Sequence, residues 1–362
     1  MRVKNLTLRN FRNYREQSIS FSPATNIICG NNANGKTNIL EAIYIFGYGK
    51  SCRAKSDDEM IRFGCGSSWV TMEFESGGRE FTAVMNLSGD GRKSFTVNNI
   101  PVKRLSRLMS YFHAVLFSPD DLTLVKGSPS ARRRFMDAAI CRLYPNYFSA
   151  LSEYQKAASE KNILLKQLKK AGKKSDEYLS VWNEQLAASA ERIMEYRRSF
   201  VSELAGFAAK IQKDISSEEL KTAYEPSLKQ DDKESILAFL EENQRREIEA
   251  ASMRYGIQRD DISIFISDRD ARLFASQGQQ RTAALAFKIA EADYVFSKTE
   301  EYPVLLLDDI LSELDIERRK YLWERILDKQ VMITCTDTDI FENRRGAKLF
   351  TVNSGTVTVS GP

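Results

Sequence analysis

The sequence predicts an α/β fold: a head built on a P-loop sheet, an antiparallel β lobe beside it, and an inserted helical lobe containing a short antiparallel helical hairpin. Three observations predict it. A glycine-bearing loop, Gly30-Asn31-Asn32-Ala33-Asn34-Gly35-Lys36-Thr37, joins an apolar strand to an apolar helix near the start. A second apolar strand, Val304-Leu305-Leu306-Leu307, runs into Asp308-Asp309 near the far end. Between them the hydrophobic period changes from two residues to 3.6. Residues 1–120 are therefore assigned to the P-loop part of the head and the β lobe, 121–250 to the helical lobe, and 251–362 to the remainder of the head.

The first strand and helix are carried by Asn26-Ile27-Ile28-Cys29, short and β-prone, and by Asn38 to Phe46, which has the length and period of a buried helix. Gly30 and Gly35 permit a tight turn with close backbone approach. The loop N–H groups from Asn31 through Gly35 and the helix N-terminus attract phosphate. Lys36 neutralises β/γ-phosphate oxygens, and the Thr37 hydroxyl can ligate Mg²⁺. The pattern calls for a nucleoside triphosphate with Mg²⁺. Ser51 to Arg53, past the helix, read as a loop beside the P-loop with no assigned role.

The β lobe follows. Trp69–Glu75, Glu80–Asn86 and Ser94–Val97 alternate in polarity, with Gly77-Gly78 and Gly89-Asp90-Gly91 as turn signals. His113, the single histidine, lies in an apolar-rich run and reads as a core residue. In the helical lobe, Leu151, Tyr154, Ala158, Leu165 and Leu168 keep 3,4 spacing, with Lys161 interrupting the stripe. Trp182, Leu186, Ala190, Ile193, Tyr196 and Phe200 resume it after Ala171-Gly172-Lys173-Lys174-Ser175. Two helices around a basic glycine turn make the hairpin, with arms expected to reach about 30 to 45 Å at ~1.5 Å per residue.

Near the far end, Ser276-Gln277-Gly278-Gln279-Gln280-Arg281 precedes an alanine-rich segment that reads as a strong helix. A hydroxyl, a glycine and free N–H groups at a helix start form a second anion site; a polar N-cap is the structural alternative. In an ordinary P-loop fold this site points away from the first, so it meets a triphosphate only if a second copy of the chain supplies it. Asp308 emerges where ligands of open α/β sheets bind and is the expected Mg²⁺ ligand. Asp309 is placed to orient or deprotonate the attacking water. Ser312-Glu313-Leu314-Asp315 starts a helix with Asp315 as cap, and in a head-to-head dimer the same loop runs beside the interface.

The order P-loop, helical insertion, S-x-G-Q, apolar strand with Asp-Asp, then S-x-L-D resembles the ATP-binding-cassette ATPases, among them the SMC-like DNA repair heads. The closest likeness is to the bacterial RecF family of recombination mediators. It is carried by Leu6 to Tyr14, Gly30 to Asn38, Phe117 to Leu122 continuing to Pro129, Arg132 to Phe135, Ser276 to Arg281 and Leu306 to Asp315. The resemblance implies ATP as the nucleotide, an ATP-dependent homodimer in which Lys36 of one subunit and Ser276, Gln277, Gly278 and Gln279 of the other clasp it, and weak DNA-stimulated hydrolysis. It also implies Arg12 as a nucleotide contact, where an ordinary surface turn is the alternative, and DNA, RecR and RecO as partners in recombinase loading at gaps. Transporters place a histidine after the next strand, and Val331 to Asp337 has none; Thr334, Thr336 or Asp337 is left to sense the γ-phosphate, which argues against a transporter subunit.

The five cysteines are scattered without C-x-x-C spacing, which fits a reducing cytoplasm and offers no zinc site. No run approaches the ~20 apolar residues of a membrane span, and no signal peptide is legible, so a cytoplasmic location is expected. Net charge is +4 but uneven: Lys103 to Lys174 holds 15 Lys/Arg against 5 Asp/Glu, an excess of +10 that leaves −6 elsewhere. Such asymmetry is the footprint of a polyanion. The candidates for DNA contact are Lys103 and Arg104, then Arg132, Arg133 and Arg134, then Lys169, Lys170, Lys173 and Lys174. Arg132 to Arg134 are equally open to pairing with carboxylates, and the lysine group to being a solvated face. No aromatic-interleaved pattern marks base readout, so backbone contact is expected. Two rival readings are a monomeric P-loop enzyme with Ser276 as a cap, and a scaffold with structural nucleotide.

Overall fold

The computed structural model describes residues 1–336 and 346–360. The chain divides into two compact units, Met1–Leu122 with Lys210–Ser217 and Arg281–Pro362, and Thr123–Ala209 with Glu218–Gln280.

The first unit holds two six-stranded sheets. One has the order β15-β14-β3-β13-β12-β8, built from β3 (Thr25–Cys29), β8 (Ala114–Phe117), β12 (Val304–Asp308), β13 (Val331–Cys335), β14 (Lys348–Asn353) and β15 (Thr356–Ser360). All pairings are parallel except β14 with β15. β13 is buried throughout, and so is β12 up to Asp308, as continuous apolar runs in a sheet covered on both faces must be. Because β13 lies between β3 and β12, the P-loop and the Asp308 carboxylate flank Thr334.

Helix α1 (Lys36–Tyr48) leaves β3 through the glycine loop and buries Ile39, Leu40, Ile43, Ile45 and Phe46. Among the described residues no side chain caps its start. Burial, worth about 1.5–3 kcal/mol for each such side chain, holds it in place. The other sheet is antiparallel, order β2-β1-β4-β5-β6-β7, from β1 (Arg2–Phe11), β2 (Tyr14–Ser20), β4 (Ser67–Ser76), β5 (Arg79–Ser88), β6 (Lys93–Val97) and β7 (Ile100–Pro101). The alternation read for 69–75, 80–86 and 94–97 falls inside β4, β5 and β6, with Val70, Met72, Phe74, Met85, Leu87 and Phe95 in the core. His113 is likewise buried. α2 (Leu105–Met109) follows β7, and α11 (Ile316–Ile326) starts where the Asp315 carboxylate accepts the Arg318 N–H at 2.9 Å, the cap expected from sequence.

The second unit is mainly helical. It comprises α3 (Leu122–Lys126) at its boundary, α4 (Pro129–Leu143), α5 (Pro145–Ala171), most of α6 (Glu177–Ser216), α7 (Lys233–Glu242), α8 (Gln244–Ala250), α9 (Ala271–Phe274) and the start of α10 (Gln277–Thr299). α5 and α6 form the hairpin. Gly172 ends α5 in the left-handed conformation, and the Lys173 N–H returns to Leu168 O at 3.0 Å, a Schellman closure. α5, with 27 residues, spans about 40 Å as expected, but α6 has 40 residues and spans about 60 Å.

Two further expectations are corrected. Lys161 continues the buried stripe of α5 instead of breaking it: its ammonium lies 2.6 Å from Glu247 Oε2, and both side chains are fully buried. The head resumes at residue 281 and not at 251. Residues 251–280 belong to the second unit because β10 (Asp261–Ile266) pairs antiparallel with β9 (Leu220–Glu225) and with β11 (Arg269–Asp270) in a three-stranded sheet that the sequence did not suggest. Among the described residues no helix is long and apolar enough to cross a membrane.

Candidate functional site: a phosphate cleft on the P-loop

Loop geometry explains the two glycines. Gly30 has φ 152° and Gly35 φ 108°, and a Cβ would lie 2.3 Å from Val352 O at the first and 2.5 Å from Asn13 Nδ2 at the second. Only glycine fits either end. The loop between them is pinned by Asn13 Nδ2 donating to Asn34 O (2.7 Å), Asn34 Nδ2 to Val352 O (3.2 Å) and Tyr14 OH to Gly35 O (3.0 Å). Lys36 curls over it, its ammonium donating to Gly30 O at 2.7 Å and Asn31 O at 3.1 Å. Phosphate oxygens can replace those carbonyls without moving the charge.

The loop opens into a cleft of about 270 Å³ whose lining includes Lys36, Thr37, Asn38, Arg53, Asp308, Asp309 and Thr334. Thr37 Oγ1 and Thr334 Oγ1 each donate to Asp308 Oδ1 at 2.8 Å, and the Asp309 N–H donates to Thr334 Oγ1 at 3.0 Å. Thr334 thus joins both aspartates; Thr336 is exposed, and Asp337 lies outside the described residues. Mg²⁺ usually takes one or two protein oxygens and completes its octahedron with water and phosphate, so the adjoining Thr37 and Asp308 oxygens fit it. Burial pushes the Asp309 carboxyl up, the Asp308 charge adds to the rise, and Lys36 opposes it.

Behind the loop, Glu41 is buried on α1 and gathers three donors. Arg12 grips it with Nε and Nη2 at 2.9 and 2.6 Å, Arg53 Nη2 reaches it at 3.0 Å, and Ser51 Oγ donates to it. Burial works to raise this carboxyl, but hydrogen bonds from Arg12 and Ser51 and the charges of Arg12 and Arg53 hold it below the usual carboxylate range. Arg12 also donates to Glu59 O at 2.7 Å; its side chain braces α1 and does not line the cleft. Arg53 does line it, and donates to Asn38 Oδ1 at 2.6 Å. Sequence reasoning left Ser51 to Arg53 without a role, since a loop contact has no periodic signature.

Ser276, Gln277, Gly278 and Gln279 lie in the second unit and line none of this cleft. Ser276 Oγ accepts the Gln279 N–H at 3.2 Å, and Gln279 Oε1 accepts the Ser276 N–H at 2.8 Å, a reciprocal capping box at the start of α10. Gln279 Nε2 donates to Glu218 at 2.6 Å, so that amide is committed to structure; Ser276 and Gln277 remain exposed. Farther along α10, Arg281 Nη2 reaches Glu313 Oε2 at 2.9 Å and Thr282 Oγ1 accepts from Arg318 Nε at 2.7 Å. These contacts tie α10 to the segment after β12.

A family model described as the RecF/RecN/SMC N-terminal domain matches residues 2–359. The DNA replication and repair protein RecF of Ruminiclostridium cellulolyticum is 40% identical over 353 residues, covering 95% of each chain. That of Clostridium perfringens is 36% identical over 363 residues, covering 99% of each. The chain belongs to the RecF family. A solved structure of the recombination mediator protein RecF-ATP in the RecFOR pathway superposes with TM-score 0.93 at 33% identity, covering 99% of this chain and 98% of the other. An SMC head bound to the C-terminal winged-helix domain of ScpA superposes with TM-score 0.59 at 16% identity, a likeness of fold alone. The ABC-type head expected from sequence is therefore the fold of this RecF-family chain.

Of the basic candidates in this RecF-family member, Lys103, Arg104, Arg134, Lys169, Lys170, Lys173 and Lys174 are exposed. Arg132 is not: it is 4% exposed, pairs with Asp261 through Nε and Nη2 at 2.6 and 2.8 Å, and donates to Leu124 O and Gly127 O. It ties α4 to β10, and its guanidinium is committed to that pair and to the Leu124 and Gly127 carbonyls. Arg133 is half-buried and donates to Asp260 O at 2.6 Å.

Proposed function

We propose that this chain is a cytoplasmic, ATP-dependent, DNA-binding ATPase of recombinational repair that dimerises on ATP and releases on hydrolysis. The observation that carries it is the convergence of Lys36, Thr37, Asp308, Asp309 and Thr334 on one cleft in a chain that superposes on RecF-ATP. Lys36 and the loop N–H groups bind the β/γ-phosphates, Thr37 and Asp308 hold Mg²⁺, and Asp309 takes the proton from the attacking water. Bound Mg²⁺ supplies positive charge to the phosphate oxygens. Thr334 bonds both aspartates from within the intervening strand, and the sequence that follows that strand carries no imidazole of the kind a transporter places there; weak turnover accords with that. Exposed Ser276 of a second subunit closes over the triphosphate, so the nucleotide favours the dimer by mass action. DNA is the polyanion that the basic surfaces meet, and RecR and RecO, the partners implied by the RecFOR pathway, work with the dimer in loading the recombinase at gaps.

The capping box at Ser276 favours one other reading, a monomeric ATPase in which this serine only starts α10. Sedimentation with ATP, ADP or no nucleotide, each with and without duplex DNA, separates the two. The dimer reading expects a doubled mass with ATP alone or with ATP and DNA; a chain that stays monomeric at saturating ATP refutes it. Ser276→Arg is expected to leave ATP affinity within about twofold of the parent while weakening ATP-dependent dimerisation at least tenfold, about 1.4 kcal/mol. An unchanged dimer in equilibrium sedimentation would remove the trans contact.

A further inference from the structure

Lys169, Lys173 and Lys174, at the end of α5 and in its turn, share one pocket of about 380 Å³ with Arg245 of α8. All four are exposed, and none pairs with a carboxylate among the described residues. Glu249, on the same pocket, offsets only one of the four charges.

Lysines in the last turn of a helix gain from its dipole, which would account for Lys169 alone. Arg245 has no such excuse. It stands in the first turn of α8, where the peptide dipoles disfavour a cation. The position is also rigidly held. Glu247, two residues on, makes the buried pair with Lys161, and Asn162 Oδ1 accepts the Met253 N–H at 2.9 Å, so α8 is fastened along α5 before any ligand arrives. Pre-positioned cations lose little freedom on binding.

We propose that this pocket at the hairpin tip clamps the phosphate backbone of nucleic acid, with Arg245 completing a site begun by Lys169, Lys173 and Lys174. The inference rests on the DNA-binding reading above and gives it a location. Among the described residues no aromatic side chain lines the pocket, so the contact is with phosphate and carries no base preference.

The test is fluorescence anisotropy of a labelled duplex and of its single strand across a salt series with ATP present, comparing the parent with the triple variant Arg245→Glu, Lys173→Glu, Lys174→Glu. Removing one cation from a phosphate flattens the dependence of log affinity on log salt by about 0.9 for duplex and about 0.7 for single strand. The triple variant is expected to flatten it by about 2 to 3 on whichever form the pocket takes, with ATP affinity unchanged. Arg245→Ala, expected to flatten it by about 0.7 to 0.9, keeps the test alive should the triple variant misfold. Slopes equal to the parent's on both forms overturn the clamp while leaving DNA binding elsewhere intact. A variant that keeps nucleic-acid binding but loses affinity for polyglutamate also overturns it, since the pocket then takes acidic peptide. A parent protein that binds neither form defeats the DNA reading itself, and the clamp with it.

Discussion

Asp309→Asn is expected to slow ATP hydrolysis about 10²- to 10⁴-fold, the usual span for losing a positioned general base, while ATP binding persists and the ATP-bound dimer outlives the parent's. The substitution is clean in structural terms. Asp309 has φ 53°, a left-handed conformation that asparagine tolerates as well as aspartate does, and its backbone N–H keeps the bond to Thr334 Oγ1. Only the basicity is removed. Since burial and the neighbouring Asp308 charge raise the Asp309 carboxyl pKa, the parent's hydrolysis should fall as pH drops through that raised value and the base becomes protonated. The variant should lack this acidic limb. Single-turnover phosphate release across a pH series measures both effects; a variant that turns over normally would show that another group positions the water.

Lys161→Met is expected to destabilise the second unit by about 3–5 kcal/mol, the cost of leaving one member of a buried ion pair alone. Glu247 would keep the Arg254 N–H at 2.7 Å on Oε1, which compensates only part of a buried carboxylate. That loss is a large fraction of the ~5–15 kcal/mol by which domains are usually stable. Adding Glu247→Leu should recover most of it, since two apolar groups replace two charges. Urea unfolding followed by circular dichroism decides the matter: a single variant within about 1 kcal/mol of the parent would contradict the reading that α8 is fastened by this pair.

The parts of the site legible in the sequence are those where chemistry leaves no choice of residue. Gly30 and Gly35 stand where a Cβ would strike Val352 or Asn13, and Lys36, Thr37 and Asp308 meet because two apolar strands flank a third. Thr334 was one of three residues open to sensing the γ-phosphate, and nothing local marks its place beside Asp308; that place comes from the register of β13 against β12. Arg132 looked like a surface cation within a run of three arginines, and its partner Asp261 lies 129 residues away. The boundary at residue 280 was missed for a similar reason. β9, Leu-Lys-Thr-Ala-Tyr-Glu, is short and mostly polar with only Leu220 buried, and its partner β10 comes only after two intervening helices. Arg245 drew no attention because its neighbours in sequence, Arg246 and Glu247, make it part of an ordinary charged segment.

The position of β3 in its sheet bears on biosynthesis. Its two hydrogen-bonded neighbours, β13 and β14, begin at Val331 and Lys348, so a nascent chain emerging from the ribosome carries the glycine loop for some 300 residues before the strand beneath it gains an edge. During that interval the helical segments, rich in local contacts, can mature first. Nucleotide is therefore captured only by a chain in which β13 and β14 have already emerged.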